Sequence, residues 1–240
     1  MKLNIFTSNV KDGIISKDKK YFPNLTKEEV ELLYEVNVRK FLSKYNLDYE
    51  KATILNEKNN RMTSHVVTED NKKLKDKILI LKEQTKNIPI LVETDDDPVI
   101  VGSATDDEDK KIAVIGKASI ENLNENLIHE MIEALIKETG RAPFETTFYI
   151  GPCPSKENYL IKDKTILKHP LFNSALEKKG RKTYLDIRYA IFNELYLEIV
   201  DPNSIYFDST DTASSSKYYS KIGDKPGRQV TCVVFTDEEV

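Results

Sequence analysis

An α+β fold is predicted from three features of the sequence. Apolar runs of strand length outnumber helical patterns, pairs of those runs follow one another with no helix between, and the helical segments carry their own start and stop signals. At 240 residues the chain reads as a single domain, 1–240. Hydrophobic content of 39% and charged content of 32% suit a globular protein with a wetted surface. The net charge of −4, with basic residues dispersed among acids, gives no reason to expect a nucleic acid or an anionic membrane as partner. No apolar run approaches a membrane span, and the first eight residues are too polar for a signal peptide, so a cytoplasmic location is expected. Cys153 and Cys232 form no disulfide framework and read as reduced thiols.

The elements follow in order. Residues 3–7 alternate apolar and polar as a strand does, and Asp12-Gly13 is a strong turn signal. Thr26-Lys-Glu-Glu29 is a capping box that opens a helix to about residue 45, with Val30, Leu33, Tyr34, Val38, Phe41, Leu42 and Tyr45 as its apolar stripe. Asn37 falls inside that stripe and must find a polar partner, by tying a loop to the helix or by touching a ligand. Residues 52–55, 65–69, 78–81, 88–92, 98–103 and 111–115 are strand candidates. Asn122 or Asn124 opens a second helix, which runs to Thr139 and is stopped by Gly140 and Pro143. His129 lies off its buried face and reads as a surface residue.

Residues 146–150 form an apolar, aromatic strand that Gly151-Pro-Cys-Pro154 ends abruptly, delivering a loop to a sheet edge. Residues 159–182 are irregular, with a helical turn near 170–176. Asp186 stands near the start of a third helix that reaches about residue 200, with Tyr184, Ile191, Phe192, Leu195 and Ile199 on one side. Residues 205–208 read as a strand, residues 210–227 as a polar, mobile loop, and residues 229–236 as the closing strand, with Cys232 in the core.

Common catalytic motifs are absent: no phosphate-binding glycine loop, no Gly-x-Ser-x-Gly, no His-Glu-x-x-His and no Cys-x-x-Cys. His65, His129 and His169 are scattered. The densest chemical candidate is Glu93-Thr-Asp-Asp-Asp-Pro98, whose adjacent carboxylates suit either a hard cation or a solvated turn. Cys153, between two prolines, reads as a half-buried structural thiol more readily than as a nucleophile, since only Lys156 is near in sequence to lower its pKa. Arg228 precedes the last strand and could meet an anion.

Several stretches, in order and with matching spacing, resemble the YfiH-like laccase-domain family, also described as multicopper polyphenol oxidoreductases. They are Phe6-Thr-Ser8, Asn37 with Arg39 and Phe41-Leu42, Thr94-Asp-Asp-Asp-Pro-Val99, Ile150-Gly-Pro-Cys153 with Tyr159, Tyr184-Leu-Asp-Ile187, Tyr218-Tyr-Ser220 and Gly227-Arg228. The resemblance implies a layered sheet-and-helix sandwich like that of cytotoxic necrotizing factor catalytic domains. It also implies zinc-dependent purine nucleoside phosphorylase and adenosine deaminase chemistry, with zinc held by a His, a Cys and a second His. At those positions this chain has Asn59 (or a residue near Thr63), Asp96 or Asp97, and Ile115. Isoleucine cannot bind zinc, so no metal or other cofactor is expected.

The reading that follows is a divergent member without the zinc chemistry that binds a nucleoside-like small molecule, with Asn59, Ile115, Cys153 and Arg228 as ligand contacts. A second reading is an active purine nucleoside phosphorylase or hydrolase rebuilt on Asp96 and Asp97, with Arg228 meeting phosphate. A third is a protein-interaction module. A monomer or a homodimer is expected.

Overall fold

The computed structural model describes residues 1–55, 62–70 and 73–237. In chain order its elements are β1 (Lys2–Thr7), α1 (Lys27–Ser43), β2 (Thr53–Leu55), β3 (Ser64–Val66), β4 (Lys73–Leu74), β5 (Ile78–Lys82), β6 (Ile90–Thr94), β7 (Val99–Thr105) and β8 (Lys111–Lys117). There follow α2 (Ile120–Asn124), α3 (Leu127–Thr139), β9 (Thr147–Ile150), β10 (Leu160–Ile161), β11 (Leu176–Lys179), β12 (Lys182–Leu185), α4 (Ile187–Leu197), β13 (Ile205–Phe207) and β14 (Gln229–Thr236). None of the described helices is long and apolar enough to cross a membrane.

Side-chain alternation along the strands builds four layers. In β8, Ile112 and Val114 face α3 and α4, while Ala113 and Ile115 face the opposite way. In β14, Val233 and Phe235 meet that second face, and Val230, Cys232 and Val234 turn outward to α1. The order is therefore α1, a sheet β1-β14-β6-β2-β4, a sheet β13-β9-β7-β8-β5-β3, and then α3 with α4. This is the α+β sandwich that the sequence predicts. Every residue of β14 is buried, because it lies between β1 and β6 with a layer on each face.

The capping box of α1 forms as expected: Glu29 N–H donates to Thr26 Oγ1 at 3.2 Å and Thr26 N–H to Glu29 Oε2 at 2.7 Å. Asn37 resolves to the structural alternative, donating to the Ile14 carbonyl at 3.0 Å and tying the Gly13 turn to the helix. Three expectations are corrected. The second helix is broken into α2 and α3 by Asn126, which takes a left-handed φ of 63°. The stretch read as irregular contains a small sheet, β10-β12-β11, besides the short helix Pro170–Ala175. Ile199 leaves the buried side of α4: the helix ends at Leu197, and Ile199 turns left-handed at φ 67° and faces solvent.

Candidate functional site

The two sheets present their chemistry where β6, β8 and β9 end. The link from β6 to β7 crosses from one sheet to the other, so Asp95, Asp96 and Asp97 sit at the seam. Pro98 accepts from the Ala118 amide at 2.8 Å, and Gly151 donates to Val99 at 2.9 Å, which brings the three chain segments side by side.

Asp96 is buried and saturated with donors. Its Oδ1 accepts from Thr212 Oγ1 at 2.8 Å and Ser220 Oγ at 2.6 Å, and its Oδ2 accepts from Ile222 N at 2.9 Å. It is therefore the anchor of the 210–227 loop rather than a free base. The loop read as mobile is fastened in three more ways. Asp211 accepts from Ser155 N, Asn158 Nδ2 and Ser214 Oγ; Lys225 Nζ donates to the Thr212 and Ser215 carbonyls; and Ser220 pairs with Lys225 backbone to backbone. Asp96 and Ser220 lie in two of the stretches that carry the family resemblance, and the structure joins them.

Asp97 points elsewhere. Its Oδ2 lies 3.8 Å from Lys117 Nζ, and both side chains are largely buried. Lys117 follows Ile115 by two residues on β8 and so lies on the same face. Ile115 itself is sealed in the core between the sheets, paired with Leu79 and Val101, and has no surface to offer a ligand. Tyr159 lies close by: burial, followed by the carboxylates of Asp97 and Asp96, pushes its hydroxyl pKa far up.

Cys153 is buried under the same loop. Its thiol accepts from Arg188 Nε at 3.3 Å, while Arg188 Nη2 holds the Cys153 and Thr210 carbonyls at 3.1 and 2.7 Å. Burial pushes the thiol up to about 11, against the pull of Arg188, so it stays protonated at neutral pH. Asn59 lies outside the described residues. His65, on β3, stands 3.7 Å from Asp76.

Arg228 belongs to a second polar group on the α1 side of β6. Gly227, at φ 150° with the Tyr219 ring packed where a Cβ would stand, delivers it to the start of β14. Its Nη1 lies 3.8 Å from Glu93 Oε2, while its Nε and the Tyr34 hydroxyl are both buried without a hydrogen-bond partner. Burial pushes the Glu93 carboxyl up, and Arg228, Lys117 and Lys17 in that order pull it back. Lys117 is thus among the charges that pull the Glu93 carboxyl down, after Arg228. Beside Gly227 opens a cavity of 480 Å³ lined by Lys20, Tyr21, Lys221, Asp224 and Pro226. Another, of 500 Å³, lies at the opposite end of the sheets, between Asn4, Ser103 and Lys111.

A zinc site needs imidazole, thiolate or carboxylate donors converging tetrahedrally. Ile115 supplies no donor, and the Asp97 carboxylate faces an ammonium. Among the described residues no group of three or more His, Cys, Asp and Glu could hold a metal ion. The residues present do not fit zinc. The sequence points to Glu93 only as the edge of an acidic turn and to Tyr34 only as part of the α1 stripe, and it singles out neither Lys117 nor Arg188; Lys117 carries a signal in the two-residue period of β8.

The profile of the multi-copper polyphenol oxidoreductase laccase family matches residues 35–236. Among solved structures, Bacillus licheniformis hypothetical protein YfiH superposes with a TM-score of 0.72 at 16% identity, covering 86% of this chain and 82% of its own. YlmD from Geobacillus stearothermophilus gives 0.72 at 15% identity, covering 85% of this chain and 80% of its own. A Neisseria meningitidis protein gives 0.70 at 16% identity, covering 97% and 94%. A comparison with curated proteins finds no match.

Proposed function

The chain belongs to the multi-copper polyphenol oxidoreductase laccase family, and from that premise we propose that it binds a nucleoside-like small molecule without zinc-dependent chemistry. One observation carries this reading. Where the resemblance places the metal-binding cysteine stand Asp96, saturated by hydroxyl and amide donors, and Asp97, facing Lys117, and where it places a histidine, an isoleucine is closed inside the core. A fixed ammonium beside Asp97 already supplies the positive charge, and a second cation there would be repelled. The cavity beside Gly227 has the volume of a small-molecule site, with the Tyr21 ring and Pro226 to lie against a flat base and Lys20, Lys221 and Asp224 to meet polar groups.

Glu93 favours a second reading, a rebuilt carboxylate enzyme. A buried carboxyl held above its ordinary value beside an arginine has the properties of a general base next to an anion site, whereas Asp96, saturated with donors, does not.

One preparation tests both. Purified protein is dialysed and assayed for zinc, then incubated with adenosine or inosine, with and without phosphate and magnesium. The first reading expects far less than one zinc per chain, no turnover, and a rise in melting temperature with nucleoside. Stoichiometric zinc overturns it. Turnover that disappears in Glu93→Gln supports the second reading.

A further inference from the structure

Among the described residues two buried side-chain atoms lack a hydrogen-bond partner, the Tyr34 hydroxyl and Arg228 Nε. Both belong to side chains that flank Glu93. A buried donor costs free energy while it stays unpaired, so two of them beside one carboxyl point to a ligand atom that accepts from both. Tyr34 projects from α1 and is 1% exposed. Burial, and then the Glu93 carboxylate, push its pKa far up, which keeps the phenol proton in place as a donor. Arg228 Nη1 stops 3.8 Å from Glu93 Oε2, beyond hydrogen-bond length.

Residues 15–21 lie across this group. Ile15 N–H donates to the Arg228 carbonyl at 2.9 Å, Lys17 Nζ stands 4.7 Å from the centre of the Tyr34 ring, and Tyr21 lies against the Arg228 side chain. The segment has no strand or α-helix, only the short turn Lys19–Tyr21. Tyr21 is also a wall of the cavity beside Gly227, so a flat base resting on its ring brings an edge to Arg228.

The order of donors and acceptor is specific. Two donors converge beside one acceptor, the ionised Glu93 carboxylate. Burial disfavours that ionised form, and Arg228, Lys117 and Lys17 favour it. The group that answers them has an oxygen that accepts two hydrogen bonds next to an N–H that donates one. A cyclic lactam has that edge. Among purines the 6-oxo form carries it as O6 and N1–H, whereas the 6-amino form reverses it to an amino group and a bare N1.

We infer that Glu93, Tyr34 and Arg228 read the lactam edge of a 6-oxopurine, and that residues 16–22 lift to admit it. The inference rests on the nucleoside reading above and names the base within it. O6 accepts from the Tyr34 hydroxyl and Arg228 Nε, and N1–H donates to Glu93. Adenosine in the same place sets its amino group against two donors and its N1 lone pair against a carboxylate, so the site rejects it.

Isothermal titration of the purified chain with inosine and with adenosine decides it, since the two differ only at that edge. Inosine is expected to bind about tenfold tighter or more. Tyr34→Phe removes the hydroxyl and keeps the ring in the core. Its melting temperature should hold or rise, because a buried unpaired group is gone, while its inosine affinity falls about tenfold and its adenosine affinity does not. A purely structural role for Tyr34 would leave the ratio of the two affinities where it was. Glu93→Gln, whose amide can turn either way, should narrow the preference. Equal affinities, a preference for adenosine, or an inosine preference that Tyr34→Phe leaves intact overturns the inference while the nucleoside reading stands. Binding of neither nucleoside overturns that reading and this inference with it.

Discussion

Asp96 and its neighbour Asp97 have different partners, and a stability measurement separates them. Asp97→Ala breaks a pair with Lys117 that is already 3.8 Å apart, and should cost less than the loss of the three shorter hydrogen bonds at Asp96. Asp96→Ala leaves the hydroxyls of Thr212 and Ser220 and the Ile222 amide facing a void, and each abandoned buried donor costs ~1–3 kcal/mol. The expected loss is about 3–5 kcal/mol, read from urea unfolding. Nothing in the sequence distinguishes these neighbours. Asp96 meets Thr212, Ser220 and Ile222, which lie 116 to 126 residues further along the chain, and local pattern carries no information at that range.

Elements were more legible than residues wherever their signal was local. The capping box fixed the start of α1, and β14 could be read end to end from its apolar run. The break at Asn126 was invisible because an apolar stripe continues across it. β10 and β11 escaped because one is two residues long and the other is Leu-Glu-Lys-Lys. Their hairpin partner did leave a mark, since Gly180, at φ 62°, opens the two-residue turn between Lys179 and Lys182. The 210–227 segment reads as mobile by composition and is ordered by acids that grip it. Asp211 gives that grip a pH dependence. Burial raises its pKa, but hydrogen bonds from Ser214, Ser155 N, Asn158 and Ala213 N outweigh this and hold it at about 2, against an ordinary 3.8. The unfolded chain therefore takes up the proton first as the medium is acidified. The stabilisation is complete above 3.8 and is lost as pH falls through that value toward 2. Urea midpoints measured through the acid range should drop over this interval, and Asp211→Asn should flatten the drop.

At the scale of the whole molecule, β14 lies between β1 and β6, and its register joins Lys2 to Thr236. The consequence is one of timing. The sheet against α1 cannot close until β14 has left the ribosome, so the apolar faces of β6 and β7 wait uncovered while residues 106–228 are made. The other sheet, with α3 and α4, draws its strands from residues 64–207 and can assemble first. Refolding followed by pulsed hydrogen exchange should then show protection of β7, β8 and β9 before β1 and β14. Simultaneous protection of both sheets would count against this order. A chain cut short before Gln229 is expected to stay as a half-built sandwich with a sticky interior face, and holding such chains apart until the final strand arrives becomes work for a chaperone.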